Sequence, residues 1–251
     1  LVRNSYNGPV ESLASLEVHV NSNALGEPMT LSVHLPVEYE SHADRYYPVL
    51  WVLDGPAQAP QVSRTMQTLS RIGIAEPSIV VAVPGSSRGR RADFTPPREE
   101  GSPDAQADRF YRFLAFEAIP AVDDAYRTDG TGVLVGHSLG GLFTLYAFVQ
   151  RPSPFRGFFA FSPSVWVGNE QILNELKHWA PGPNPLPSSL FLSLGEAEDN
   201  EMLEGFEAVE EILASRPPSE MRWTSMITEG ADHGSNPGLS FPVAARWYWD
   251  R

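Results

Sequence analysis

The chain reads as an α/β protein built on a mostly parallel, doubly wound sheet with helices on both faces. Nearly all-apolar runs of strand length recur along it, and helical stretches separate them. Its 251 residues are enough to bury a large core in one domain, so residues 1–251 are taken as a single unit. A strand covered by helices on both faces has no polar side to show, which is why such runs need not alternate.

The first two strands are of a different kind. Residues 16–20 and 29–35 set polar Glu17, His19, Ser32 and His34 against apolar neighbours, the pattern of antiparallel strands with one wet face. The run 48–53 (P-V-L-W-V-L) is the first core strand and stops at Asp54–Gly55. Residues 79–83, 132–135, 157–161 and 190–194 repeat its character, and 221–228 form the last strand. Helices are expected at 61–71, 107–126, 139–149, 170–179, 201–215 and 241–249. The longest connection, 84–103, leaves little room for a lid. In a sheet of this kind ligands bind where strands end at their carboxyl edge, so the loops after Leu53, Val83, Val135, Phe161, Leu194 and Thr228 deserve scrutiny.

Composition excludes several classes of function. The net charge of −13, from 18 basic and 31 acidic residues, disfavours nucleic acid and anionic membrane surfaces as partners. With no cysteine there is no disulfide, thiol nucleophile or thiolate metal site. No apolar run is long enough to span a bilayer, so membrane insertion is not expected. No basic-then-apolar leader opens the chain, so any secretion signal is expected to have been removed or never to have existed, which leaves a periplasmic or secreted and a cytoplasmic location both open. The histidines are dispersed and no H-E-x-x-H occurs, so no metal or other cofactor is expected.

The loop after Val135 carries chemistry. Gly136–His137–Ser138–Leu139–Gly140 is a G-x-S-x-G sequence between an apolar strand and an apolar helix, the nucleophile elbow of α/β-hydrolases. Small residues on either side of the serine give room for a strained turn that lifts its hydroxyl to a helix N-terminus. A serine nucleophile needs a base. Of six histidines, His19 and His34 lie on the N-terminal strands, His42 precedes the core and His178 ends an outer helix. His137 is the variable residue of the elbow, with its ring expected to point elsewhere. His233 follows the last strand, where this fold places its base. The acid should follow Leu194, where Glu198 is the first choice over Asp199 and Glu196. The oxyanion hole should use the Leu139 N–H with a second donor from the Asp54–Gly55–Pro56–Ala57 turn. Pro56 has no N–H, leaving Gly55 or Ala57.

From Pro48 onward the sequence also resembles the putative-esterase family of esterase D, the enterochelin esterases and mycolyltransferase-like enzymes, above all its periplasmic siderophore trilactone esterases. The resemblance is carried by Y-P-V-L-W-V-L-D-G (47–55), R-A-D-F-T-P (91–96), Phe113–Leu114 through Glu117 with Ile119–Pro120, V-G-H-S-L-G-G-L-F (135–143), S-P-S-V-W (162–166) and D-H-G-S (232–235). It implies Ser138 as nucleophile, His233 as base and an acid within 196–199, although some siderophore esterases use a Ser–His pair without a well-placed acid. The family's second oxyanion donor commonly follows the Asp-Gly turn, where this chain has Pro56.

For substrate binding, Arg88, Arg90 and Arg91 offer a cationic lip suited to an anionic or catecholate ester, unless Asp93 or Glu99 pairs with them. Trp166 is placed to stack on an aromatic acyl group. The expected reaction is hydrolysis of a small-molecule carboxylic ester, on siderophore-type lactones or aromatic acyl esters. Acyl transfer to an alcohol would use the same machinery. A non-catalytic binding module fits poorly with an intact serine, histidine and acid segment.

Overall fold

The computed structural model describes residues 15–97, 104–179, 188–215 and 221–250. Its strands are β1 (Leu16–Ser22), β2 (Glu27–His34), β3 (Tyr47–Leu53), β4 (Ile79–Val83), β5 (Thr128–His137), β6 (Phe155–Phe161), β7 (Ser189–Gly195) and β8 (Arg222–Thr228). Among the described residues they form one 8-stranded sheet in the order β1-β2-β4-β3-β5-β6-β7-β8. β1 and β2 are antiparallel to each other, and β2 is antiparallel to β4. All pairings from β4 to β8 are parallel.

The two-residue period of a strand sorts its side chains into two cores. In β3, Val49, Trp51 and Leu53 join one core and Leu50 and Val52 the other. β4 does the same, with Ile79, Val81 and Val83 against Val80 and Ala82. One face is covered by α1 (Gly55–Arg71) and α8 (Asn236–Trp249). The other is covered by α3 (Ala107–Phe113), α5 (Leu139–Val149), α6 (Gln171–His178) and α7 (Asn200–Ala214). None of these helices is long and apolar enough to cross a membrane.

Differences from the sequence-based elements have physical causes. Helix α1 begins at Gly55, because Pro56 stands in its first turn, where a missing N–H costs nothing. Helix α8 likewise begins at Asn236, with Pro237 in its first turn. The single helix expected over 107–126 is interrupted: a π-helical turn, Leu114–Ala118, separates α3 from α4 (Ile119–Ala125). Glu117 on that turn accepts hydrogen bonds from Ser22 Oγ at 2.5 Å and from the N–H groups of Asn23 and Ala24 at 3.1 and 3.0 Å. Its motif therefore anchors the β1–β2 turn. A short helix, α2 (Arg90–Phe94), lies within the long connection, part of which is outside the described residues.

Candidate active site

Ser138 links β5 to α5 with φ 61° and ψ −118°, a conformation that costs a non-glycine residue on the order of 1–3 kcal/mol. Its surroundings hold it there. The Ser138 N–H donates to the Phe161 carbonyl at 3.0 Å, and the Ser138 carbonyl accepts from Leu142 and Ser164 at 3.0 and 3.1 Å. A Cβ at Gly136 would overlap the Gly140 carbonyl. Gly140 itself has ordinary contact room; the other tight point is Gly141, where a Cβ would lie 2.9 Å from the Phe161 carbonyl. The glycines thus serve the approach of the elbow to its own helix and to β6.

His233 follows β8 and Glu198 follows β7. Parallel pairing of these strands, from Ser189 with Arg222 to Gly195 with Thr228, brings the loops together. Glu196 N–H donates to Thr228 O at 3.0 Å and Ala197 N–H to Ala231 O at 2.9 Å. His233 Nδ1–H donates to Glu198 Oε2 at 2.6 Å, leaving Nε2 as the ring's available nitrogen. The other two acids are engaged elsewhere: Glu196 Oε2 accepts from Gly230 N–H at 2.8 Å, and Asp199 Oδ1 caps α7 through Met202 N–H at 3.0 Å.

The Glu198 side chain is 1% exposed and that of His233 is 44% exposed. Burial pushes the Glu198 carboxyl up, but hydrogen bonds from His233, Ser162 Oγ (2.6 Å) and Gly195 N–H (2.7 Å) outweigh it, and its pKa lies below the ordinary value. Ser162 Oγ in turn accepts from Asn236 Nδ2 at 2.8 Å. The Asn236 carbonyl accepts from Thr228 and Ser240 hydroxyls at 2.6 and 2.5 Å. This buried, mutually satisfied polar cluster fixes the carboxylate from below.

His137 turns toward the site, contrary to expectation. Its Nε2–H donates to the His233 carbonyl at 2.8 Å, and the two ring centroids are 4.6 Å apart. Burial, helped by the charge His233 can carry, pushes the His137 pKa down to about 4, so the ring is neutral near pH 7. Ser138 Oγ hydrogen-bonds Ser164 Oγ at 3.2 Å rather than the His233 ring.

The arginines divide. Arg90 is held by Asp54 through two bonds of 2.7 and 2.9 Å, and it donates to the His137 carbonyl at 2.9 Å. It therefore braces the elbow, correcting its expected place in a free cationic lip; its partner is Asp54, not Asp93. Arg88 donates to the Leu25 carbonyl at 2.8 Å. Arg91 is exposed. Asp93 is buried and accepts from the Ser86 N–H and Oγ at 2.6 and 2.5 Å, while Glu99 lies outside the described residues.

Leu139 and Gly55 are the first residues of α5 and α1, where an N–H has no partner within its helix. The Ala57 N–H is occupied by the Asp54 carbonyl at 3.1 Å. A Cβ on Gly140 would lie 3.4 Å from Asp54 Oδ2, which sets the loop after β3 against the first turn of α5. A cleft of about 510 Å³ is lined by Ser138, Ser164, Trp166, Glu198 and His233, among others. Trp166 is 41% exposed on its wall.

Residues 22–221 match the family described as "Putative esterase". The chain belongs to that family. It is 29% identical over 180 residues to the ferri-bacillibactin esterase BesA of Bacillus subtilis, covering 61% of each chain. It is 28% identical over 223 residues to the siderophore enterobactin esterase of Emericella nidulans, covering 78% of this chain and 74% of that one. Among solved structures, the siderophore hydrolase EstB of Aspergillus nidulans superposes with a TM-score of 0.75 at 25% identity, over 96% of this chain and 94% of that one. The sheet order and covering helices are those of an α/β-hydrolase.

Sequence reasoning missed the roles of Ser162, Ser164 and Asn236. A signal existed: Ser193 interrupts an apolar strand, and Asn236 and Ser240 stand one turn apart on a mostly apolar helix. Buried polar residues at such positions need partners.

Proposed function

We propose that the chain, acting as one esterase domain, is a serine carboxylic-ester hydrolase working through an acyl-enzyme on a siderophore-type lactone or polyester or an aromatic acyl ester. The observation that carries this is the 2.6 Å His233–Glu198 pair facing the same cleft as the strained Ser138.

In this reading His233 Nε2 takes the Ser138 proton as Oγ attacks the ester carbonyl. The Leu139 and Gly55 N–H groups receive the oxyanion. Glu198 holds the ring through Nδ1 and stabilises the imidazolium. His233 then protonates the departing alkoxide, and water hydrolyses the acyl-enzyme by the same route. Trp166 stacks on the acyl part, and Arg91 meets any anionic group at the rim. The siderophore esterases among the relatives support the substrate class.

The test is turnover of p-nitrophenyl esters, a feruloyl ester and enterobactin by wild type and Ser138→Ala. Wild-type turnover should fall about 10⁴-fold or more in the variant. Equal turnover by both proteins, or failure of a fluorophosphonate to label Ser138, would overturn the reading.

A further inference from the structure

We infer that Ser164 is a further catalytic residue, whose hydroxyl donates to Ser138 Oγ and favours its departure when the acyl-enzyme is hydrolysed. This rests on the serine-hydrolase reading above.

Ser164 Oγ lies 3.2 Å from Ser138 Oγ, and Ser164 is 4% exposed. The contact does not depend on a rotor alone. Ser164 N–H donates to the Ser138 carbonyl at 3.1 Å, and Ser138 N–H donates to the Phe161 carbonyl at 3.0 Å, so the two backbones are tied together. The turn carrying Ser164 is itself fixed. Ser162 is held at φ 45°, its N–H donating to Ser193 O at 2.7 Å and its Oγ bonded to Glu198. Val165, 1% exposed, packs so closely on α7 that a Cβ on Gly205 would lie 3.0 Å from its own. A donor fixed in this way, and shielded from water, stabilises charge without reorganising at the moment of reaction.

Its effect should differ between the two halves of the reaction. During acylation a donor on Oγ stabilises the forming alkoxide but also ties up the lone pair that must attack, and the two oppose each other. During deacylation Oγ is the leaving group. Water adds to the acyl carbon and gives a proton to His233 Nε2. The tetrahedral species then collapses, the C–Oγ bond breaks with its electron pair left on Oγ, and His233 returns the proton there. The free acid departs and Ser138 is restored. Ser164 keeps its own proton throughout, hydrogen-bonding the oxygen on which charge gathers.

A p-nitrophenyl ester, whose acylation is fast, separates the steps in stopped flow. Ser164→Ala should release the first equivalent of nitrophenolate within about threefold of the wild-type rate, then turn over about tenfold or more slowly. The acyl-enzyme should accumulate as a mass increment on Ser138, and Ser164→Thr, which keeps the hydroxyl, should restore turnover. An unchanged deacylation rate overturns the proposal. So does an equal slowing of both phases with slower fluorophosphonate labelling, which would make Ser164 a brace for the elbow only. Ser138→Ala tells the two readings apart: if it still turns over, the serine mechanism itself fails, whatever Ser164→Ala does.

Discussion

Two loops at the carboxyl edge of the sheet each bury a carboxylate with the same neutral partners, one hydroxyl and one backbone N–H. After β4, Asp93 is held by the Ser86 Oγ and N–H, and burial leaves its pKa above the ordinary value despite them. After β7, Glu198 is held by the Ser162 Oγ and Gly195 N–H, yet its pKa lies below the ordinary value. Glu198 also receives the His233 Nδ1–H at 2.6 Å, whereas the nearby Glu27 charge pushes Asp93 further up and Arg88 offsets this only in part. Two neutral hydrogen bonds do not repay the desolvation of Asp93, while a third, from the His233 ring, tips the balance at Glu198. Asp93 closes a loop, while Glu198 is kept ionised beside His233.

The harshest way to break this comparison is His233→Ala. It should lower kcat/KM by roughly 10⁴–10⁶ and turn Glu198 into a second Asp93, its carboxyl titrating above the ordinary range by ¹³C NMR. A Glu198 that stays low without the ring would refute the explanation. Next, Glu198→Gln should leave His233 in place but cost about 10³–10⁴ in kcat, read by steady-state kinetics on an ester that wild type turns over.

The same rule applied to a base gives the third prediction. Burial, the His233 ring and the Arg90 guanidinium disfavour a charge on His137, and the His233 carbonyl and the Glu198 carboxylate favour it less. Its folded pKa is about 4 against 6.5 unfolded. Below pH 6.5 the unfolded chain takes up a proton that the folded chain refuses until about 4. Stability from this group is therefore intact above that window and falls as pH drops through it, by about 3 kcal/mol in all. Urea unfolding across this range should show a larger loss in wild type than in His137→Gln, the difference being the share of this group.

Ser162→Ala tests the neutral partners of Glu198. It removes one hydrogen bond to a charged group, so kcat should fall about tenfold and the Glu198 carboxyl should move up toward the behaviour of Asp93. The smallest effect belongs to Asp93→Asn. A raised carboxylate binds its proton more tightly folded than unfolded, so wild type loses stability as pH rises from the ordinary aspartate value through the raised one. The Asn variant lacks that loss. Its Tm relative to wild type should gain a few degrees between acid and neutral pH, measured by calorimetry.

Much of the fold was legible in the sequence because its signals are local. The apolar run of β3 and the alternation of β1 and β2 each declare a strand and its burial within a few residues. The elbow was legible too, since Gly136, Ser138 and the helix that follows are consecutive in the chain. Chain order put His233 and the 196–199 segment near it without any distance. What the sequence by itself could not determine was which side chain meets which. Arg90 meets Asp54 across 36 residues, Glu198 meets His233 across 35, and His137 meets the His233 carbonyl across 96. Such choices depend on how loops from different strands pack, and a one-residue change of register or a single rotamer would alter them. The tertiary structure alone therefore decided that Glu198 rather than Glu196 or Asp199 faces the histidine, that Arg90 braces the elbow, and that two serines of one turn reach the acid and the nucleophile.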